Sequence, residues 1–586
     1  MRKASHAAWI AFFVFLAVCP PTQADIGTEE YLRHQERQRQ LEERMTSGSD
    51  VRLRQDTPSA PEFRLADGET PCFPIHAVTL SGEESGRFRA LLEDMLEEQG
   101  FVSGMCIGAR GINLLMARLQ DLIIRRGYVT TRVVAPAQSV KAGKLDFLLI
   151  PGKIRRIRFE NVPDRDDWTG NAARTQFFRN EFPMQEGDLL NLRDIETALE
   201  NFRRLQSVEA SFEILPADTD QPGESDLLIR WKQGFPLRVT LSADDSGSTL
   251  TGKNQGTAVI SVDNPLGLSD TFYAYYSHDL GHTKDINGHA SGDRSLESGT
   301  KGYGFHYSAP FGNTSVAYSF NHNEYRQAVA GYSTNYLYWG WSSQHDLTLK
   351  RRLYRDGNRK TSVSLGAWIR SSRNYIDDAE LTIQRRRMAG WHLALEHTEY
   401  LGNATVNAHL QYKRGTGAHR ALNAPEEAFN EGTSRMRLVT GNIALSWPFR
   451  ALNQTLAYST QAHFQHNYTP LIAQDRLSIG NRYTVRGFDG EMTLMSERGS
   501  WWRNEFAWYF SPAHQIYLLW DSGHVSGPST KWLAGSYLEG YGIGLRGQIK
   551  TAGTLHYDLF AARPAKYPKA FPVSHSVIGA AISYTF

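Results

Sequence analysis

From about Phe235 to the last residue, Phe586, apolar and polar positions alternate in runs of about ten residues separated by Gly, Asn, Asp and Pro, the pattern of β-strands whose two faces meet different solvents. In ATVNAHLQYK, Val406, Ala408, Leu410 and Tyr412 fall on one face and Asn407, His409, Gln411 and Lys413 on the other. TSVAYSF sets Val316, Tyr318 and Phe320 against Ala317 and Ser319, and the chain ends with Ile578, Ala580, Ile582, Tyr584 and Phe586 on one side. There are about sixteen such runs, an even number. A soluble β-sandwich also alternates, but it closes an apolar core between two sheets and rarely uses so many long strands.

Residues 1–234 follow other periods. The stretch TEEYLRHQERQRQLEERM, Thr28 to Met45, is rich in helix formers and polar all round, so a helix within residues 25–45 must be solvated, disordered or lodged in a polar cavity. Residues 46–70 are polar, with prolines, and read as a linker. In 71–152, HAVTL, YVTTRVV and KLDFLLI read as strands around a helix marked by Ile112, Leu115, Leu119 and Leu122 and closed by Gly127. In 153–234 the parts recur: IRRIRF, SFEIL and DLLIRW are strands, and Asn191 caps a helix with Leu192, Ile195, Leu199 and Phe202 on one face. Two small α+β domains are therefore expected ahead of the strand-rich region.

The extreme N-terminus changes the compartment. Arg2 and Lys3 precede an apolar run, Ala7 to Val18, and a small-residue site ending at Ala24, the layout of a secretory signal over residues 1–24. As a helix that run spans about 18 Å, too short for a hydrocarbon core of about 30 Å. Cys19 is followed by Pro20 and Pro21, a poor context for lipidation. Removing the signal leaves Cys72 and Cys106, an even pair in an oxidising setting, for which a disulfide is the first expectation and two buried thiols the alternative. Lys plus Arg total 64 against 62 for Asp plus Glu, which gives no electrostatic case for a nucleic-acid partner.

With export in place, the alternating region reads as a sixteen-stranded antiparallel transmembrane β-barrel over 235–586, with aromatic residues near strand ends and Ile582, Tyr584 and Phe586 as a C-terminal barrel signal. A bilayer demands closure, because an open edge leaves backbone groups unpaired in hydrocarbon. The mean hydropathy of −0.45 is compatible, since half of each strand faces a wet lumen. GIGLRG, 542–547, matches a dinucleotide fingerprint only formally, because it lies within a strand and not at a strand-to-helix turn. Among the common nucleotide, metalloprotease and hydrolase motifs none occurs, so no enzyme activity and no cofactor are expected. His278 and His409 read as lumen residues on the polar faces of strands.

A long connection, 474–499, follows the eleventh expected strand and carries Val485, Arg486, Gly487 and Phe488 in RYTVRGFDGEM. An arginine confined in a pore seeks a carboxylate, which its planar fork binds through two parallel hydrogen bonds. Asp521 in QIYLLWDSGHV is available, with Gly523 leaving room for close approach.

VRGF in a long loop, RNEF at Arg503–Phe506 and DSG at Asp521–Gly523 resemble the two-partner secretion transporters, outer-membrane barrels related to the insertases. PCFPI at 71–75, GMCIGARGIN and RRGYVTTRV resemble the first POTRA (polypeptide-transport-associated) domain of the subgroup that exports haemolysins and contact-dependent inhibition toxins. The strand motif departs in reading W-D-S-G, with Ser522 where a second small residue is common. The resemblance implies a plug helix at 25–45, POTRA domains at 71–152 and 153–234, and Arg486 paired with Asp521 to hold the loop inside the barrel. It implies export of one large, unfolded exoprotein without ATP. Partners would be that exoprotein, outer-membrane lipid and lipopolysaccharide, and the barrel-assembly machinery. The rivals are an insertase, which usually carries more POTRA repeats, and a passive pore or adhesin, which needs no periplasmic domains.

Overall fold

The computed structural model describes residues 26–46, 50–53, 65, 69–161, 180–218, 222–281, 298–330 and 335–586. The export signal and most of the linker lie outside the described residues. Among the described residues sixteen strands, from Leu237–Asp244 to Val577–Thr585, close an antiparallel barrel. A further two-residue strand, Ala379–Glu380, only extends the hairpin of Arg359–Ile376. The first strand closes on the last, from Thr240↔Thr585 to Asp244↔Ala581, and an even strand number lets those two run antiparallel. The expected sixteen-stranded barrel is thus borne out.

Period two sets its two faces. Leu393 and Leu395 are 45% and 46% exposed while Ala394 between them is 2% exposed. Leu410, Ile443, Leu518 and Ile582 likewise point outward. Exposed leucine and isoleucine on every second position is what a hydrocarbon solvent requires. The glycines of 542–547 lie in the strand Tyr537–Lys550; a Cβ at Gly544 would collide with the ring of Tyr517 at 2.2 Å, so glycine makes room for that ring. His278 departs from its expected lumen position: Ser277 lines the lumen, so parity sends His278 outward beside Tyr276, at 6.3 Å between ring centres.

Two α+β units precede the barrel. In the first, Ala77–Ser81 runs parallel to Lys144–Ile150, which pairs antiparallel with Arg132–Val134. Helices Arg89–Glu98 and Ala109–Arg125 cover the sheet around Leu115, Leu119, Ile123 and Phe147. A separate ribbon pairs Cys72–Ile75 with Met105–Gly108, and Cys72 and Cys106 are joined across it by a disulfide. In the second unit Glu224–Gln233 lies between Lys153–Asn161 and Val208–Pro216. Its helix, Leu192–Arg203, is capped by the Asn191 side chain, which accepts from the Arg193 amide. Leu192, Ile195, Leu199 and Phe202 pack on that sheet, but Glu196, Thr197 and Glu200 on the opposite face are buried as well. That polar face lies against the barrel.

Candidate functional site

The helix Ile26–Thr46 runs inside the barrel, and its polar surface matches a polar wall. Tyr31 donates to Gln344 (3.4 Å) and accepts from Arg370 Nη1 (3.1 Å). Thr251 donates to Glu30 (2.9 Å), and His34 bonds Asn323 (2.6 Å). Other charges pair along the helix, as in Arg33–Glu30 and Arg39–Glu36, and Arg33 also donates to the Gly490 carbonyl of the loop. Leu41 and Met45 make apolar contact with Val259, Tyr273 and Tyr275, and small cavities remain between helix and wall.

The loop after the eleventh barrel strand, Gln454–Asn467, is built differently. Leu477–Ile479 and Leu494–Ser496 pair as a hairpin that carries the tip into the lumen. Ile479, Val485, Phe488 and Leu494 pack with Trp501, Val525, Leu538 and Phe571 in a small apolar core. At its edge Arg486 is 2% exposed and Asp521 fully buried. Arg486 Nε donates to Asp521 Oδ2 (2.7 Å) and Nη2 to Oδ1 (2.9 Å), and the Arg486 amide adds a third bond (3.1 Å). The remaining Nη1 donates to Glu505, which also accepts from Arg546 Nη1 (3.1 Å); Arg546 Nε reaches Asp558 (2.9 Å). Arg503, beside them, donates to the Tyr483 carbonyl (3.1 Å). Arg486 and Arg546 thus bridge three carboxylates, with Arg503 beside them as a third cation, so three positive charges stand among three negative ones. Three glycines make room for this arrangement. Gly487 has φ +109°, a Cβ at Gly540 would lie 1.9 Å from the Arg486 carbonyl, and one at Gly523 would press the Val485 side chain at 2.9 Å.

Sequence reasoning had not assigned Glu505, although parity was informative: Trp502, Phe506 and Trp508 point outward, which turns Arg503 and Glu505 inward. Nor had it found Arg370, whose fork grips Asp475 at the base of the loop through two bonds of 2.9 Å while touching Tyr31 of the helix. No group of three potential metal ligands occurs among the described residues.

A third cluster joins the helix's downstream segment to the second α+β unit and the barrel. The Val51 amide donates to Glu200 (3.3 Å) and the Leu53 amide to Glu196 (2.8 Å), and the Val51 carbonyl accepts from Arg355. Asp50 meets Lys360 (2.8 Å) and Tyr400, whose ring lies 4.2 Å beneath the Arg52 guanidinium. Arg352 and Arg355, on the same side of the barrel, bind Glu200 at 2.7 and 2.9 Å. Residues 50–53 are therefore clasped between the helix Leu192–Arg203 and the barrel rim.

A family model described as "Haemolysin secretion/activation protein ShlB/FhaC/HecB" matches residues 223–547, a ShlB-type POTRA model matches 73–152 and a second POTRA model 153–216. The chain is 33% identical over 558 residues to an outer membrane transporter, CdiB-2, of Burkholderia pseudomallei, covering 91% of this chain and 90% of that one. It is 26% identical over 521 residues to the outer membrane transporter CdiB of Escherichia coli, covering 88% and 82%. The solved structure of CdiB from Acinetobacter baumannii shares the fold, with a TM-score of 0.81 at 24% identity over 96% of this chain and 100% of that one.

Proposed function

Since the chain belongs to the haemolysin secretion/activation protein family ShlB/FhaC/HecB, two-partner secretion transporters of the outer membrane with periplasmic POTRA domains, we propose that it exports one large exoprotein through the barrel in unfolded form. The observation that carries this reading is a lumen filled by a polar helix with few fastenings, beside a loop fixed by a buried charge cluster. A sixteen-stranded barrel is wide enough for an aqueous channel once such a helix is gone. The POTRA domains bind the N-terminal region of the exoprotein, the helix leaves, and the chain threads outward. No nucleotide drives this; folding of the exoprotein outside draws the equilibrium across by removing the unfolded form. The cargo is a contact-dependent inhibition toxin, a haemolysin or an adhesin. The remaining partners are lipid and lipopolysaccharide around the barrel and the assembly machinery that inserts it. Arg486, held by Asp521, keeps Val485, Gly487 and Phe488 in place inside the channel.

The test is co-expression with the large exoprotein encoded beside it. Appearance of that exoprotein in the medium only when the transporter is present supports export. Retention in the periplasm, with other outer-membrane barrels failing to assemble when the transporter is removed, would support an insertase instead.

A further inference from the structure

Three arginines stand together on the outer surface of the barrel, away from everything that export uses. Lys413 points inward over Trp368 (4.6 Å) and Leu438 is buried inside, so period two sends Arg414 and Arg437 outward, where both are exposed. The register sets these two directly opposite each other on the paired strands Ala404–Thr416 and Arg437–Ala451. The pairing continues through Gly415 N to the Met436 carbonyl (2.8 Å), which brings exposed Arg435 to the diagonal position. Like charges directly opposite on a strand pair repel. The neighbouring carboxylates give no relief: Glu426 is engaged by Arg386, and Glu427 by Thr433 and Ser434. Among the described residues none of the three guanidinium groups pairs with a carboxylate.

Their depth is defined by the same strand. Outward-facing Trp447 lies ten residues from Arg437, about 25 Å of height for a strand tilted about 40°, which is the height of an apolar barrel band. Between them the outward surface is apolar, with Ile443 and, on the adjacent strand, Leu410. Trp391, directly opposite Arg414, packs with Tyr412 at 5.5 Å as an aromatic girdle. The arginines therefore sit at headgroup level on the loop side of the bilayer, which the periplasmic position of the POTRA domains makes the outer leaflet.

We propose that Arg414, Arg435 and Arg437 form a binding site for the phosphate groups of lipopolysaccharide, with its acyl chains lying along Leu410 and Ile443. Each guanidinium can chelate a phosphate bidentately, and the anion turns a repulsive trio into a bridged one. This rests on the outer-membrane placement and not on the export step, so secretion and lipid binding are scored separately.

The experiment measures binding of purified rough-type lipopolysaccharide to delipidated transporter in detergent, by native mass spectrometry. Three arms run beside it: dephosphorylated lipopolysaccharide, inorganic phosphate, and the R414Q/R435Q/R437Q variant, with heat-modifiable gel migration reporting an intact barrel. We expect binding to weaken about tenfold or more on dephosphorylation and in the variant, with inorganic phosphate failing to compete at equal concentration. Equal binding of phosphorylated and dephosphorylated forms by the unaltered protein overturns the proposal, whether or not the variant assembles. Undiminished binding by an assembled variant, or equal competition by inorganic phosphate, overturns it too.

Discussion

Two elements share the lumen, and they are held by opposite means. The loop tip is anchored by an apolar core around Val485 and Phe488 and by a bidentate arginine with no residual exposure to speak of. The helix Ile26–Thr46 is held by dispersed single hydrogen bonds, such as Thr251 to Glu30, Arg33 to the Gly490 carbonyl and Arg370 to Tyr31, pairs other charges along its own length and packs Leu41 and Met45 on the wall. Removing one partner of a buried ion pair costs about 3–5 kcal/mol, whereas a single hydrogen bond contributes about 1 kcal/mol, or about 1.5–3 kcal/mol to a charged group. On the proposed export reading, the contrast divides one pore between a fixture bound by charge pairing across an interface and a removable element whose ion pairs run mostly along itself.

Breaking the fixture should have the largest effect. Arg486→Ala strands Asp521 and Glu505 without a shared cation, a loss of about 3–5 kcal/mol for an uncompensated buried charge; secretion should fall roughly a hundredfold or more while heat-modifiable migration shows an assembled barrel. Arg486→Lys should rescue little, because an ammonium cannot chelate both Asp521 oxygens. Normal secretion by either variant would remove the loop from the mechanism.

Deleting residues 26–46 removes a rod about 10 Å across and should raise single-channel conductance in planar bilayers several-fold. The full-length Arg486→Ala protein should stay near the closed level. Equal conductance with and without the helix would erase the distinction between fixture and plug.

A smaller effect is expected from Glu196→Gln/Glu200→Gln, which loosens the grip on residues 50–53. Spontaneous openings should become about threefold more frequent, the weight of one weakened charge-assisted contact, and an unchanged opening frequency would show that the clasp does not restrain the helix.

The smallest concerns the junction of the second POTRA domain with the barrel, where Glu181 is buried and accepts from Ser269. Burial raises its carboxyl from the ordinary 4.5 to about 7, with Asp270 adding to the rise. A raised acid favours the folded contact while protonated, so its contribution is complete below about pH 4.5 and is lost as pH climbs through about 7. Limited proteolysis at this junction should accelerate about twofold to threefold between pH 5 and 8, and Glu181→Gln should flatten the profile.

How much of this could be read from the chain depends on how local the governing physics is. Strand alternation is local, so barrel, lumen and lipid face were legible; the helix was legible as polar all round, a pattern that by itself leaves open whether water or a polar cavity surrounds it. Arg486 and Asp521 stood out because an arginine and an aspartate each interrupt a glycine-marked, otherwise apolar context. Arg370 and Asp475 are 105 positions apart, and nothing in either neighbourhood marks the other. Glu196 and Glu200 look like the solvated side of an amphipathic helix, and only the docking of that side on Arg352 and Arg355 buries them. His278 was placed on the wrong side because near a strand end composition is a weaker guide than the count of residues from a buried tyrosine.

One dimension of the clasp sets an order on events. Four peptide units separate Thr46, the last residue of the helix, from Asp50, a leash no longer than about 14 Å when fully stretched. The rod it tethers is about 31 Å long. Withdrawal by a full length is therefore impossible while Asp50, Val51 and Leu53 are gripped, so on the proposed export reading the bonds to Glu196 and Glu200 and those to Arg355, Lys360 and Tyr400 must all give way before the channel can clear.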